Sequence, residues 1–123
     1  MTDTPQIEFK VTVDISVTPP VFTIYNQQGH IDNNPINVTE NNTRIIYRLK
    51  DNNDGLKFIA PEVSDDPHGD ITPSISEDGQ TLTITDSDAD NETICVRLVV
   101  IQANSPDTHY VSQDPQIRNR PPA

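Results

Sequence analysis

Several short stretches of the chain alternate apolar and polar residues. In the clearest one, every second position from residue 7 to residue 17 is apolar and the positions between them are polar or charged; the apolar residues are Ile7, Phe9, Val11, Val13, Ile15 and Val17. This period of two predicts a long β-strand with one face in a core and the other in water. Pro19 and Pro20 predict its end, because proline has no N–H for a strand ladder.

Comparable patterns predict further strands over residues 21–25, 36–38, 43–50, 56–60, 72–76, 80–85 and 92–101, and a last one near 110–113 or 116–119. Asp78-Gly79 predicts a hairpin, and residues 51–55 predict a hairpin loop joining strands 43–50 and 56–60. No stretch has the 3.6-residue period of a helix. About seven to nine short strands predict an all-β fold, an antiparallel β-sandwich with an immunoglobulin-like or cupredoxin-like strand order.

Composition narrows the class of protein without naming a function. The length of 123 residues predicts one domain over residues 1–123, with flexible ends at 1–5 and 120–123. Only 33% of the residues are hydrophobic and the net charge is −11, a balance that leans toward disorder unless the apolar residues are patterned, as they are here. The charge argues against nucleic-acid binding. No apolar run is long enough for a membrane span, and the lack of a visible signal peptide favours the cytoplasm.

The densest acidic stretch predicts a metal site. Asp86, Asp88 and Asp90 occupy alternate positions and Glu92 follows them. Carboxylates at positions 1, 3 and 5 are the spacing that wraps a hard cation such as Ca²⁺ in oxygen ligands. The stretch is not an EF-hand, because Arg97 stands where the twelfth-position glutamate belongs. The alternative interpretation is a solvated acidic turn. No other cofactor is predicted.

Catalytic motifs are absent from the sequence, which favours a non-enzymatic module. The one cysteine, Cys95, lies mid-strand, and the only methionine is Met1, so a copper site of two histidines, cysteine and methionine is excluded. A small enzyme with a loop-end site near His68 and Asp70 stays as an alternative. The main prediction is a binding or structural module that acts through acidic loops or sheet edges, with a protein partner or by self-association through an edge strand.

Motifs spread along the chain resemble those of a bacterial family. They are the Val-Thr-Pro-Pro segment at 17–20, strand 45–49, Gly-Leu-Lys-Phe at 55–58, Asp-Gly at 78–79 with strand 82–86, and the ending Asp-Pro-x-Ile-x-Asn-x-Pro at 114–121. In this order they resemble the small bacterial proteins of the DP-EP family. The resemblance implies a small all-β domain and carries no assigned activity.

Overall fold

The computed structural model describes residues 6–31, 36–38, 42–50, 55–64, 71–86, 92–102, 104–112 and 116–119. These residues form ten strands and no helix: β1 Gln6–Asp14, β2 Val21–Tyr25, β3 Ile36–Val38, β4 Thr43–Leu49, β5 Leu56–Ser64, β6 Ile71–Ile75, β7 Thr81–Asp86, β8 Glu92–Gln102, β9 Ser105–Val111 and β10 Gln116–Asn119. The predicted all-β fold is confirmed. The ends predicted to be flexible, 1–5 and 120–123, lie outside the described residues.

The strands form two sheets. One has the order β2-β1-β4-β7-β6, and the other has the order β3-β10-β8-β5, with β9 also paired to β8. Two pairings are parallel, β1 with β4 and β10 with β3. An immunoglobulin sheet places its first strand beside its second, followed by the fifth and the fourth. The first sheet departs from that order.

The core lies between the sheets and is built by the predicted alternation. The inward positions of β1, β4, β7 and β8 supply its most deeply buried side chains: Val11, Ile45, Tyr47, Leu82, Ile84, Ile94, Val96, Leu98 and Val100, each 0% exposed. Burying one Val, Leu or Ile side chain contributes roughly 1.5–3 kcal/mol. A sequence with few apolar residues therefore stabilises a sandwich by placing sixteen of them in one buried cluster between the sheets.

An aromatic pair joins the two parallel strands at the core. Phe9 and Tyr47 are register partners, and their rings stack with centroids 5.5 Å apart. Burial raises the pKa of the Tyr47 hydroxyl far above its ordinary value. Among the described residues that oxygen has no hydrogen-bond partner. An unmade hydrogen bond of this kind costs about 1–3 kcal/mol. The stacking of the Tyr47 ring on Phe9 and its burial in the core must offset this cost.

Two predicted strand ends were wrong. β1 stops at Asp14, because the Ser16 N–H donates to Asp14 Oδ1 at 2.9 Å and turns the chain, which leaves Val17 43% exposed. β5 continues to Ser64, although residue 61 is proline. The register shifts between Ile59 and Glu62, and this bulge accommodates the proline at a position that lacks a ladder donor.

The predicted hairpin between strands 43–50 and 56–60 was also wrong. β4 belongs to the first sheet and β5 to the second, so residues 51–55 connect the two layers. Both strands instead reach the turn between β6 and β7. The Leu49 N–H donates to the Gln80 carbonyl at 2.9 Å, and the Phe58 N–H donates to the Gly79 carbonyl at 2.8 Å. A polar, glycine-containing loop serves an intra-sheet hairpin and an inter-sheet crossover equally well.

The predicted Asp78-Gly79 hairpin, in contrast, is confirmed, since β6 pairs with β7 in antiparallel register. Asp78 Oδ1 accepts hydrogen bonds from the Ser76 hydroxyl at 2.6 Å and from the Gln80 N–H at 3.0 Å. These bonds, the Ser76 one above all, lower the pKa of the Asp78 carboxyl. Gly79 has a φ of 73°, and a Cβ there would lie 2.8 Å from the Lys57 Cβ. The turn thus requires glycine for both its backbone angle and its close contact.

Replacing Gly79→Ala is expected to destabilise the protein more than replacing Gly29→Ala. Both glycines have positive φ, so each alanine incurs about 1–2 kcal/mol of backbone strain. Only at Gly79 does the new Cβ also meet a side chain, because nothing lies within 4 Å of the Gly29 position. Urea unfolding of both variants measures the difference. Equal midpoints for the two variants would contradict the close packing of Lys57 on this turn.

Candidate functional site

The structure describes only part of the predicted calcium site. Asp86 ends β7 with its side chain fully buried, and its register partners are Thr43 on β4 and Ile71 on β6. Asp88 and Asp90 lie outside the described residues. Glu92 begins β8, and its side chain is outside the described part of the chain. Asp86 therefore points into the sandwich, where the sequence pattern predicted an exposed turn.

The predicted enzyme site also lies beyond the described ranges, since both His68 and Asp70 fall in the segment 65–70. Two other histidines, His30 and His109, are exposed. Within the described ranges, no three His, Cys, Asp or Glu side chains come together as a metal-binding group. The same residues include no helix with the length and apolar character needed to cross a membrane.

The most distinctive described surface is the outer face of the first sheet. In β4 the cations Arg44 and Arg48 are exposed, while Ile45 and Tyr47 between them are buried. The parallel register places Lys10 of β1 directly beside Arg48. Lys50 follows on the same alternate phase of β4. Four of the eight basic residues of an acidic chain thus share one sheet face.

A cleft of about 470 Å³ opens at one corner of this face. Its wall combines strands β1 and β4 with the end of β2 and the turn after it, and its lining residues are Glu8, Phe9, Lys10, Tyr25, Asn26, Gln27, Gly29, Arg48 and Lys50. Among the described lining residues, three cationic side chains and one carboxylate give a formal charge of +2. The volume lies within the range of small-molecule sites, about 300–1,000 Å³.

Two contacts hold charged side chains in place at the cleft. An Arg48 guanidinium nitrogen lies 3.2 Å from Glu8 Oε1, with the two side chains 49% and 36% exposed. The Lys50 ammonium lies 4.0 Å from the centroid of the Tyr25 ring. An exposed ion pair contributes about 0–1 kcal/mol and an exposed cation–π contact about 0.5–1 kcal/mol. Both contacts therefore orient the cations more than they stabilise the fold.

The turn after β2 is built by Asn26. Its side-chain Oδ1 accepts hydrogen bonds from the Gln28 and His30 N–H groups, each at 3.0 Å. The Asn26 N–H also donates to the His30 carbonyl at 2.8 Å, which closes the turn. These turn bonds to the side chain use only its carbonyl oxygen, and Asn26 also lines the cleft.

The chain was also compared with known proteins. A family model, that of the DP-EP family, matches residues 5–121, which is nearly the whole chain. The chain belongs to the DP-EP family. No curated protein matches it. The resemblance carried by the Pro-Pro segment, the strand motifs and the Asp-Pro-x-Ile-x-Asn-x-Pro ending is therefore confirmed.

In this DP-EP protein the cleft collects donors: two ammonium groups, a guanidinium and side-chain amides. Sequence reasoning missed it, because Lys10 and Arg48 are 38 positions apart and become neighbours only through parallel pairing. One signal was present. Lys10 lies on the polar phase of its strand, as do Arg44, Arg48 and Lys50 on theirs. That signal assigns each cation to the outer face of its own strand. It does not indicate that β1 and β4 are neighbours in one sheet, with their outer faces side by side.

The calcium prediction for the 86–92 stretch is testable in solution. A ligand that binds only the folded protein at about ten times its Kd raises the unfolding free energy by about 1.4 kcal/mol. Calcium at millimolar concentration is therefore expected to raise the melting temperature by roughly 4 °C above the value in EDTA. Asp88→Asn should remove most of this rise. An identical melting temperature in calcium and EDTA would exclude the site.

Proposed function

We propose that this protein is a non-enzymatic binding module that holds an anionic ligand in the cleft between β1, β4 and the turn after β2. One observation carries the proposal: the described residues that line the cleft have a formal charge of +2, in a chain whose net charge is −11. Exposed cations in an acidic protein would find their lowest energy beside carboxylates. Here the described lining has three of them and one carboxylate, Glu8.

The positions of Lys10 and Arg48 support a binding role over a purely structural one. Like charges at directly opposed positions of a strand pair are destabilising. Glu8 neutralises only one of the two cations, through its contact with Arg48. Two neighbouring cations that lower the stability of the fold are typical of functional surfaces, because function there requires groups that are not optimal for stability. A bound anion would relieve the repulsion, and that relief adds to its affinity.

The sequence had favoured acidic loops or sheet edges as the binding surface. The cleft lies on the outer face of the first sheet instead, and only Tyr25 in its lining belongs to the edge strand β2. Most of the acidic loops, residues 65–70 and 87–91, lie outside the described residues. The proposed ligand therefore binds at the basic face of the first sheet and not at the acidic loops.

A thermal-shift panel of carboxylates, phosphate esters, neutral sugars and amines tests the function. We expect at least one anion to raise the melting temperature, by roughly 4 °C at ten times its Kd, while amines leave it unchanged. Lys10→Gln should reduce the rise. Each anion should be recovered chemically unchanged by NMR. Stabilisation by amines instead of anions, or by no compound in the panel, would contradict the proposal.

A second candidate function is strand pairing through the β2 edge, with a second copy of this chain or with another protein. Val21, the first residue of β2, is 51% exposed, and the strand carries no charge and no proline. The opposite edge strand, β6, contains Pro73, and β5 contains the bulge near Pro61. Proline and bulges are the usual protections of a sheet edge, and β2 has neither, while Tyr25 at its end is bridged to Ile31.

Sedimentation velocity across a range of concentrations tests this second candidate. A dimer through β2 should dissociate in Val21→Lys, because a lysine on an edge strand opposes its pairing with another strand. Val63→Lys is the matched control, since Val63 is also exposed but lies on β5 of the other sheet. A monomer at every concentration of the unmodified chain would rule out the β2 dimer.

A further inference from the structure

The size of the cleft limits its ligand to one compact molecule. A volume of about 470 Å³ is in the lower half of the range found for small-molecule sites. The walls come from three strands and one turn, and Asn26 fixes the turn through hydrogen bonds to Gln28 and His30. A wall that is ordered before binding costs little entropy when a ligand enters.

The charge distribution favours a small anion over a polymer. The described residues of the cleft lining carry +2, so all other residues of the chain together carry −13. At physiological ionic strength the screening length is about 8 Å. An anionic group seated among Lys10, Arg48 and Lys50 therefore interacts mainly with those cations. A polyanion that extends further out of the cleft meets the repulsion of the acidic remainder.

The hydrogen-bonding groups of the cleft favour a ligand that carries hydrogen-bond donors as well as a negative charge. Glu8 offers only acceptor oxygens, and one of them contacts Arg48. Inorganic phosphate would bring further anionic oxygens toward that carboxylate. A ligand with hydroxyl groups can instead donate to Glu8 and accept from the side-chain amides of Asn26 and Gln27, while its own carboxylate binds the cations.

Resting on the binding function proposed above, we propose that the cleft takes a monomeric sugar acid, a hexuronate. Its carboxylate lies against Arg48 and Lys10, and its hydroxyls bind Glu8 and the Asn26 amide. Lys50 is held over the Tyr25 ring and adds a third positive charge that is positioned in advance. A hexuronate combines one negative charge with several hydroxyl donors in a single ring, which is the combination these side chains complement.

Calorimetric titration with galacturonate, galactose and acetate tests the assignment. A hydrogen bond to a charged group is worth about 1.5–3 kcal/mol, or roughly tenfold to a hundredfold in affinity. Galactose lacks the carboxylate and acetate lacks the hydroxyls, so each is expected to bind at least about tenfold more weakly than galacturonate. Trigalacturonate should bind no more tightly than the monomer.

Two variants locate the site. Arg48→Gln is expected to weaken galacturonate binding by at least about tenfold, since it removes the guanidinium fork. Arg44→Gln makes the same change of charge on the same strand face outside the cleft, and its affinity should stay within about twofold of the unmodified chain. Equal losses in the two variants would place the ligand elsewhere and overturn the proposal.

The outcomes separate this inference from the proposed function. If another small anion binds and loses affinity in Arg48→Gln while galacturonate does not bind, the sugar-acid assignment fails and the binding function stands. If no anion binds, both fail. Tighter binding of trigalacturonate than of galacturonate would identify a polymer ligand and would also overturn the assignment.

Discussion

The parallel pairing of β1 with β4 is the constraint on which the core and the cleft both depend. In this register Phe9 lies beside Tyr47 on the inner face, and Lys10 lies beside Arg48 on the outer face. A slip of one residue would turn Lys10 toward the core and Phe9 toward water. Burial of an unpaired ammonium is far more costly than the gain from any single contact, so the core selects one register. The cleft is a consequence of that selection.

The same register explains how an acidic chain comes to have a basic face. Acidic residues exceed basic ones by 19 to 8, yet Lys10, Arg44, Arg48 and Lys50 are brought to one surface by two neighbouring strands. The Glu8 contact and the Tyr25 ring orient two of these cations without removing the excess charge. We propose that the positive charge left among the described residues of this corner binds an anion.

Features that depend on local pattern could be predicted from the sequence. Alternation correctly assigned Ile45 and Tyr47 to the inner face, and Asp78-Gly79 correctly marked a hairpin.

Features that depend on pairing between distant segments could not be predicted. Residues 51–55 have the composition of a hairpin loop but connect the two sheets. The end of β1 at Asp14 depends on a side-chain hydrogen bond that an alternating pattern does not encode. The cleft was missed for the same reason, because no local signal brings Lys10 to Arg48.

We propose that residues from β1, the end of β2 and β4 form one ligand site. A two-dimensional amide NMR titration with galacturonate tests this directly. We expect the largest shifts on Lys10, on Asn26 and its turn, and on Arg48, which are distant in sequence and adjacent around the cleft. Shifts centred on β8, or on the acidic stretch 86–92, would contradict it.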